Sequence, residues 1–388
     1  MAAEELARAG HCVQIAEAKP SVGRKFLMAG KSGLNLTKDE GGEAFLSAYG
    51  EAAAPLRPML DAFGPEDVQD WARALGQEVF TGSSGRVFPK VMKASPLLRA
   101  WMTRLGDMGV QVNTRWRWIG FDGTGSNVPG FAFDTPEGAQ TLTPDVTVLA
   151  LGGASWARLG SDGAWAPWLV SKGVGLAAFQ GANVGLCVAW SDHMTRHFGA
   201  PIKGVTLSAG QTSTQGEFVI SAQGLEGGVI YMLSKPLREG ATLHLDLLPK
   251  RSLQEIEVQL ARCRGKTTLA NHLRKVLKLD PAKLALLQEF GRPLPEGNAL
   301  AKLLKTLPIS HQGPRPMDQA ISTAGGVAWD ALTEGLMLKP LPGVFVAGEM
   351  IDWEAPTGGY LLTACLATGR WAGQRAAHHI AEMRDTQA

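Results

Sequence analysis

Within residues 341–373, an acid at a strand end is followed closely by an unobstructed helix start, and this pairing could do chemistry. Pro342-Gly-Val-Phe-Val-Ala-Gly-Glu349 ends in Gly348 and Glu349, and Pro356-Thr-Gly-Gly-Tyr360 opens the last helical stretch. A carboxylate at the end of a short apolar strand accepts a hydrogen bond from a sugar-like hydroxyl, and a preceding glycine lets the backbone come close. Gly358 and Gly359 keep bulk away from the first free N–H groups at Tyr360. Those groups and the helix dipole stabilise negative charge. Such charge accumulates at the pyrimidine edge of a reduced flavin, so this segment is expected to hold the ribityl and isoalloxazine half of FAD.

Other segments add weaker signals. Val146-Thr-Val-Leu-Ala-Leu-Gly-Gly-Ala154 is an apolar strand closed by Gly152 and Gly153, suited to passing the phosphate region of a dinucleotide, although alone it is an ordinary buried strand with a turn. Glu17 follows another short strand and is expected to hold the adenosine ribose; the plainer alternative is a solvated strand-end acid. Arg24, Lys25 and Lys31 flank a loop with Ser32, Gly33, Asn35 and Thr37. That loop either donates to the pyrophosphate or lines the flavin, and exposed basic residues are as often only solvated.

Several patterns point away from other chemistries. His193 and His197 have i, i+4 spacing but no third ligand or general-base glutamate beside them, so no metal site is expected. Cys12, Cys187, Cys263 and Cys365 form no C-x-x-C pair, which argues against zinc ribbons, iron–sulfur clusters and a disulfide framework. Trp156, Trp165 and Trp168 suit packing better than stacking on a ligand. Lys250, Arg251, Arg262, Arg264, Lys266, Arg274, Lys275 and Lys278 form a basic run whose default is a solvated face and whose sharper alternative is an anionic substrate such as RNA or a CoA thioester. No catalytic acid or base is placed by a motif.

The elements that must position these residues are those of an α/β protein. The chain has 388 residues, 45% apolar and 19% charged, with a formal net charge of +2, which suits a multi-domain globular chain and offers no global pull toward nucleic acid. Its 47 glycines exceed the usual share of ~7% and imply many tight turns. No apolar run reaches membrane-spanning length, and Glu4 and Glu5 do not suit an export signal, so a cytoplasmic protein without a membrane span is expected. Residues 1–9 read as a helix, 12–16 as a strand, 65–75 and 94–108 as helices, and Gly85-Arg-Val-Phe-Pro89 as a turn. Residues 110–142 read as a small antiparallel meander. A β-rich insert spans 185–249, helices occupy 250–306, and the chain closes with a long helix from about 359 to 383. The resulting division is 1–184 and 307–388 for a split FAD-binding domain, 185–249 for an inserted β domain and 250–306 for a small helical module. A helix, a glycine turn, a strand and Glu17 form the second half of a βαβ dinucleotide unit; the first strand and its Gly-rich loop are missing from the chain and are expected to precede Met1.

Together, Pro20-Ser-Val-Gly-Arg-Lys-Phe-Leu-Met-Ala-Gly30, Gly33-Leu-Asn-Leu-Thr37, Gly85 to Pro89, Ala320-Ile-Ser-Thr-Ala-Gly-Gly-Val327 and Gly343 to Tyr360 resemble the YhiN/BaiN-like flavoproteins, most of all one bacterial branch. The resemblance spans essentially the whole chain. It implies a split Rossmann-like FAD domain with a β-barrel-like insertion and a small helical domain, and FAD-dependent oxidoreductase activity. Activities attributed to relatives run from aminoacetone oxidation and bile-acid-CoA desaturation to uridine reduction in ribosomal RNA, so no substrate is implied, nor an oligomeric state. NAD(P)H fits as reductant, although no second Gly-rich fingerprint marks a place for it. Many relatives carry Arg-Cys where this chain has Gly33-Leu34, which weakens the RNA alternative of a dihydrouridine-type reductase. A non-catalytic binding protein is the remaining alternative, should the absence of the phosphate loop be natural.

Overall fold

The computed structural model describes residues 1–31, 33–123 and 129–387. The chain folds into two compact units, Met1–Gln180 with Ser322–Ala388, and Gly181–Ile321.

In the first unit, alternating strands and helices build two parallel strand pairs. Gln14–Glu17 lies beside Gln111–Thr114 with Glu17 opposite Thr114, and Val344–Val346 lies beside Thr147–Leu149 with Val346 opposite Leu149. Val344, Phe345 and Val346 are all buried, as strands covered on both faces require. The last helix, Tyr360–Gln387, supplies much of that cover, with Ala364, Ala367, Ala372 and Ala376 almost fully buried. Small side chains let its backbone lie close to its neighbours: a Cβ on Gly373 would stand 2.7 Å from Ala2 Cα. Arg117–Asp122, Gly130–Thr135 and Gly138–Leu142 form an antiparallel meander, whereas Gln111–Thr114, expected to belong to it, pairs in parallel with Gln14–Glu17 instead. Gly85–Pro89 differs from its expected turn. Arg86–Pro89 is a strand between Val79–Thr81 and Thr37–Lys38, with only Gly85 (φ +76°) turning the chain.

The second unit contains a six-stranded sheet in the order Leu186–Cys187, Gly224–Glu226, Thr212–Ser221, Pro201–Ala209, Leu243–Asp246, Leu307–Ile309. Each neighbouring pair is antiparallel. Helices Leu253–Leu260, Leu269–Leu277 and Pro281–Gly291 match the three helical patterns of the sequence, and Gly297–Lys305 adds a fourth. The β segment and these helices share one hydrophobic core, in which Leu207, Ile220 and Leu245 meet Ile256, Leu273, Leu287 and Leu304. Pro281–Gly291 packs on the strand Leu307–Ile309 and Gly297–Lys305 on Leu243–Asp246, while Leu253–Leu260 packs on the helices Leu269–Leu277 and Gly297–Lys305.

Among the described residues, no helix is long and apolar enough to cross a membrane, and no group of three or more His, Cys, Asp or Glu side chains is placed to hold a metal ion.

Candidate functional site

The carboxyl ends of Thr147–Leu149 and Val344–Val346 lead into Gly152-Gly153 and Gly348-Glu349, which the fold brings together. Glu349 is 6% exposed. Its Oε1 accepts from the Thr323 backbone N–H at 2.9 Å, and its Oε2 is paired with the Lys25 ammonium. Lys25 Nζ also lies 2.9 Å from Ser155 Oγ. Thr323 in turn accepts, through Oγ1, from the N–H groups of Ala154 (2.9 Å) and Ser155 (3.1 Å), so side chains on the strand Ser322–Val327 pin the turn after Gly153. Gly153 has no room for a side chain, since a Cβ there would stand 2.4 Å from Thr323 Cβ. The half-buried Cys365 packs below Gly348, where loss of hydration and then the Glu349 charge push its thiol up to about 12, leaving it a neutral packing group.

Ser161 faces the same place. Its hydroxyl is 2.9 Å from where a Gly152 Cβ would stand, and Glu349 Oε2 is 3.9 Å from that point. Ser161 Oγ, Arg24 Nε and Asn35 Oδ1 are buried and lack a hydrogen-bond partner. Trp71 Nε1, Thr147 Oγ1, His272 Nε2, Arg315 Nε and Arg370 Nε share that state, so lack of a partner alone does not mark a ligand; what singles out Ser161 is its place beside Gly152 and Glu349, where buried polar groups normally find a partner. A hydroxyl-bearing, phosphate-bearing cofactor supplies both donors and acceptors for such atoms, and the residues present fit FAD on that ground.

The start of the last helix is held differently. A Cβ on Gly359 would stand 2.5 Å from the Thr37 backbone, and Gly359 has φ +98°, so glycine is needed both for space and for conformation. The first intrahelical bond runs from Thr363 N to Gly359 O at 3.1 Å, and the N–H groups of Tyr360, Leu361 and Leu362 have no partner within the helix. The Tyr360 ring packs on Phe45 at 4.8 Å between centroids. Its hydroxyl accepts from Lys38 Nζ at 2.9 Å and donates to Glu40. Burial, then that bond to Glu40, raises its pKa, so the phenol stays protonated.

Glu17 ends the other strand pair and is half-buried, its Oε1 accepting from Lys19 N at 2.7 Å. Burial raises its pKa against the opposing effects of that bond and of the Lys19 and Arg24 charges. On the short helix Arg24–Ala29, Lys25 pairs with Glu349, while the charge of its neighbour Arg24 opposes the rise at Glu17. Asn35 lies between Leu34 and Leu36, whose N–H groups bond to the carbonyls of Met92 and Val87. Ser32 lies outside the described residues.

Ser155, Ser161 and Thr323 were not singled out from the sequence. Ser155 lies two residues after Gly153, and Thr323 lies inside the Ala320 to Val327 motif, so hydroxyls beside glycine motifs were the available signal. Trp165 donates to Gly152 O at 2.9 Å and Trp168 packs edge-on against Trp118, which makes both structural. His193 is exposed on the short 3-10 turn Asp192–His197. Lys250, Arg262, Arg264, Lys266, Arg274, Lys275 and Lys278 are exposed on the second unit, and Arg251 bonds to Val276 O at 3.5 Å.

The Rossmann-domain model of the HI0933-like proteins matches residues 1–375. The chain belongs to that family. As an HI0933-like protein it is an FAD-dependent oxidoreductase with a Rossmann-type FAD-binding domain. The 3-dehydro-bile acid delta(4,6)-reductase of Clostridium scindens is 26% identical over 395 residues, covering 94% of this chain and 92% of that protein. Among solved structures, the open conformation of a flavocytochrome c3 fumarate reductase covers 97% of this chain and 76% of its own at 15% identity, with a TM-score of 0.53. A quinol-fumarate reductase covers 98% of this chain and 69% of its own at 15% identity, with a TM-score of 0.52. These two likenesses concern the fold.

Proposed function

We propose that this HI0933-like protein reduces a carbon–carbon double bond conjugated to a ketone on an apolar, steroid-sized substrate, with NAD(P)H as electron source. The observation that carries the substrate class is the near full-length similarity to the 3-dehydro-bile acid delta(4,6)-reductase. Conjugation is what makes such a double bond open to hydride, because the carbonyl oxygen takes up the displaced charge.

Bound FAD would supply the hydride chemistry. Glu349, kept in place by its bond from Thr323 N, would accept from a ribityl hydroxyl. Glu17 would accept from the adenosine ribose. Arg24 and Asn35, each with a buried unpaired atom, would serve the stretch between them, and Ser161 adds an unpaired hydroxyl beside Glu349. Gly152 would let backbone come close to the cofactor beside Glu349, Gly153 and Gly348 make room for Thr323 and Cys365, and the free N–H groups beginning at Tyr360, after Gly358 and Gly359, favour negative charge in front of the helix.

The test is anaerobic mixing of the FAD-loaded protein with NADH and then NADPH, followed at the flavin absorbance bands, and turnover with a 3-oxo-Δ4 steroid, a small cyclic enone and a saturated 3-oxo steroid. Flavin bleaching by a nicotinamide and loss of the enone band with the first substrate are expected. Reduction of the small enone but not the steroid would move the substrate class; reoxidation of flavin by neither would overturn the reading.

A further inference from the structure

Glu349 is a buried acid whose two oxygens are both engaged, one by a backbone amide and one by an ammonium that reaches it from 324 positions away in the sequence. A ribityl hydroxyl is neutral. It can accept the geometry Glu349 offers, but it cannot offset the charge of a carboxylate that is 6% exposed. Removing a buried carboxylate from water without a counter-charge is costly, and covering the site with a cofactor expels the water that would otherwise hydrate it.

From this geometry we infer that Lys25 is a positioning residue for the cofactor: it acts through Glu349, compensating its charge and aiming it at the flavin, and does not act as a phosphate ligand. Ser155 holds the ammonium in that position through its Oγ. Among the described residues, the groups around Glu349 are Lys25 on the helix Arg24–Ala29, with Ser155 bonded to its ammonium, Thr323 on the strand Ser322–Val327, the Ser161 hydroxyl beside Gly152 and the neutral Cys365 thiol on the last helix. Lys25 is the cation in that set. With the pair in place, Glu349 keeps its remaining lone pairs for the ribityl hydroxyl. Without it, the carboxylate is uncompensated, and the cost falls mainly on the loaded state.

The inference rests on FAD being the cofactor and makes a signature that a phosphate contact does not. Apoprotein carrying Lys25→Met, Lys25→Arg, Glu349→Gln or both Lys25→Met and Glu349→Gln is titrated with FAD by quenching of flavin fluorescence, and thermal midpoints are recorded without FAD. Lys25→Met is expected to weaken FAD roughly tenfold or more, and Lys25→Arg to restore it to within about threefold of the parent. The double variant has a neutral carboxamide and no cation, so it is expected to bind FAD more tightly than Lys25→Met alone, with a thermal midpoint that recovers in the same direction. A double variant as weak as the product of the two single effects, or an unaffected Lys25→Met, overturns the inference. Should Lys25→Met fail to fold, the double variant folding normally supports the charge-compensation role and its equal failure refutes it. Should the parent chain itself not bind FAD, the thermal cycle still decides the coupling.

Discussion

Two strand-end glutamates, written almost identically in the sequence, end up in different physical states. Glu349 closes the strand Val344–Val346 inside the first unit, 6% exposed and held by Thr323 N and Lys25. Glu17 ends Gln14–Glu17, half-buried, with one backbone bond from Lys19, two residues on. Burial raises the pKa of Glu17, whereas at Glu349 a lysine faces the carboxylate directly. The same local signal therefore gives a charge locked into a long-range pair in one place and a weakly held, easily replaced acid in the other. What separates them is that Lys25 of the helix Arg24–Ala29 reaches Glu349, whereas the bond to Glu17 comes from its own chain two residues on.

Substitution of each acid in turn tests that contrast most sharply. Glu349→Ala strands the Lys25 ammonium and the Thr323 N–H, and is expected to destabilise the chain by about 3 kcal/mol and to abolish FAD retention, read by urea unfolding and by absorbance of the purified protein. A loss no larger than that of an exposed acid would mean the pair contributes little. Gly359→Ala should follow, at about 1–3 kcal/mol, because a Cβ would stand 2.5 Å from the Thr37 backbone at φ +98°; a thermal midpoint equal to the parent's would show that the helix start can shift.

Tyr360→Phe removes the hydroxyl between Lys38 and Glu40 but leaves their own ion pair of 2.6 Å, so a cost of about 1 kcal/mol is expected in the same unfolding assay. Glu17→Gln carries the smallest effect, with the opposite sign to Glu349→Ala. A folded-state pKa raised above the ordinary 4.5 favours the protonated acid in the fold. That stabilisation is fully present below 4.5 and is lost as pH rises through the raised value. The Gln variant is therefore expected to be more stable than the parent near neutral pH by under about 1 kcal/mol, allowing for solvent screening, and the difference should close below pH 4.5. Stability curves of the two proteins across pH 3–8 that run parallel would show that burial does not govern Glu17.

Much of this site was readable because its signals are local. The Gly348-Glu349 strand end and the Gly358-Gly359 helix start follow from an apolar run, backbone freedom and helical periodicity within a few residues. The turn expected at Gly85–Pro89 became a strand because its partners, Thr37–Lys38 and Val79–Thr81, are supplied by other parts of the chain. Ser161 was invisible as a site residue because nothing around a lone serine states that its hydroxyl is buried and unpaired beside Gly152. In the second unit, the pattern at 253–290 marks helices with an apolar face but not what covers it; neighbouring helices and sheet strands together do, in one shared core.

By itself the sequence determined the α/β class, the glycines that the final helix start requires and the two acids placed just after apolar runs, since each depends on propensities and spacings within about one element; the flavin family was legible only through the resemblance of motifs spread along the chain. Only the tertiary structure decided that Lys25, and not a neighbouring cation, meets Glu349, that Ser155 and Thr323 complete its surroundings, and that Glu17 is left with a backbone bond alone. Ion pairs and hydrogen bonds between residues 26 to 324 positions apart depend on how strands and helices stack, and that is set by packing of whole elements, which no local pattern records.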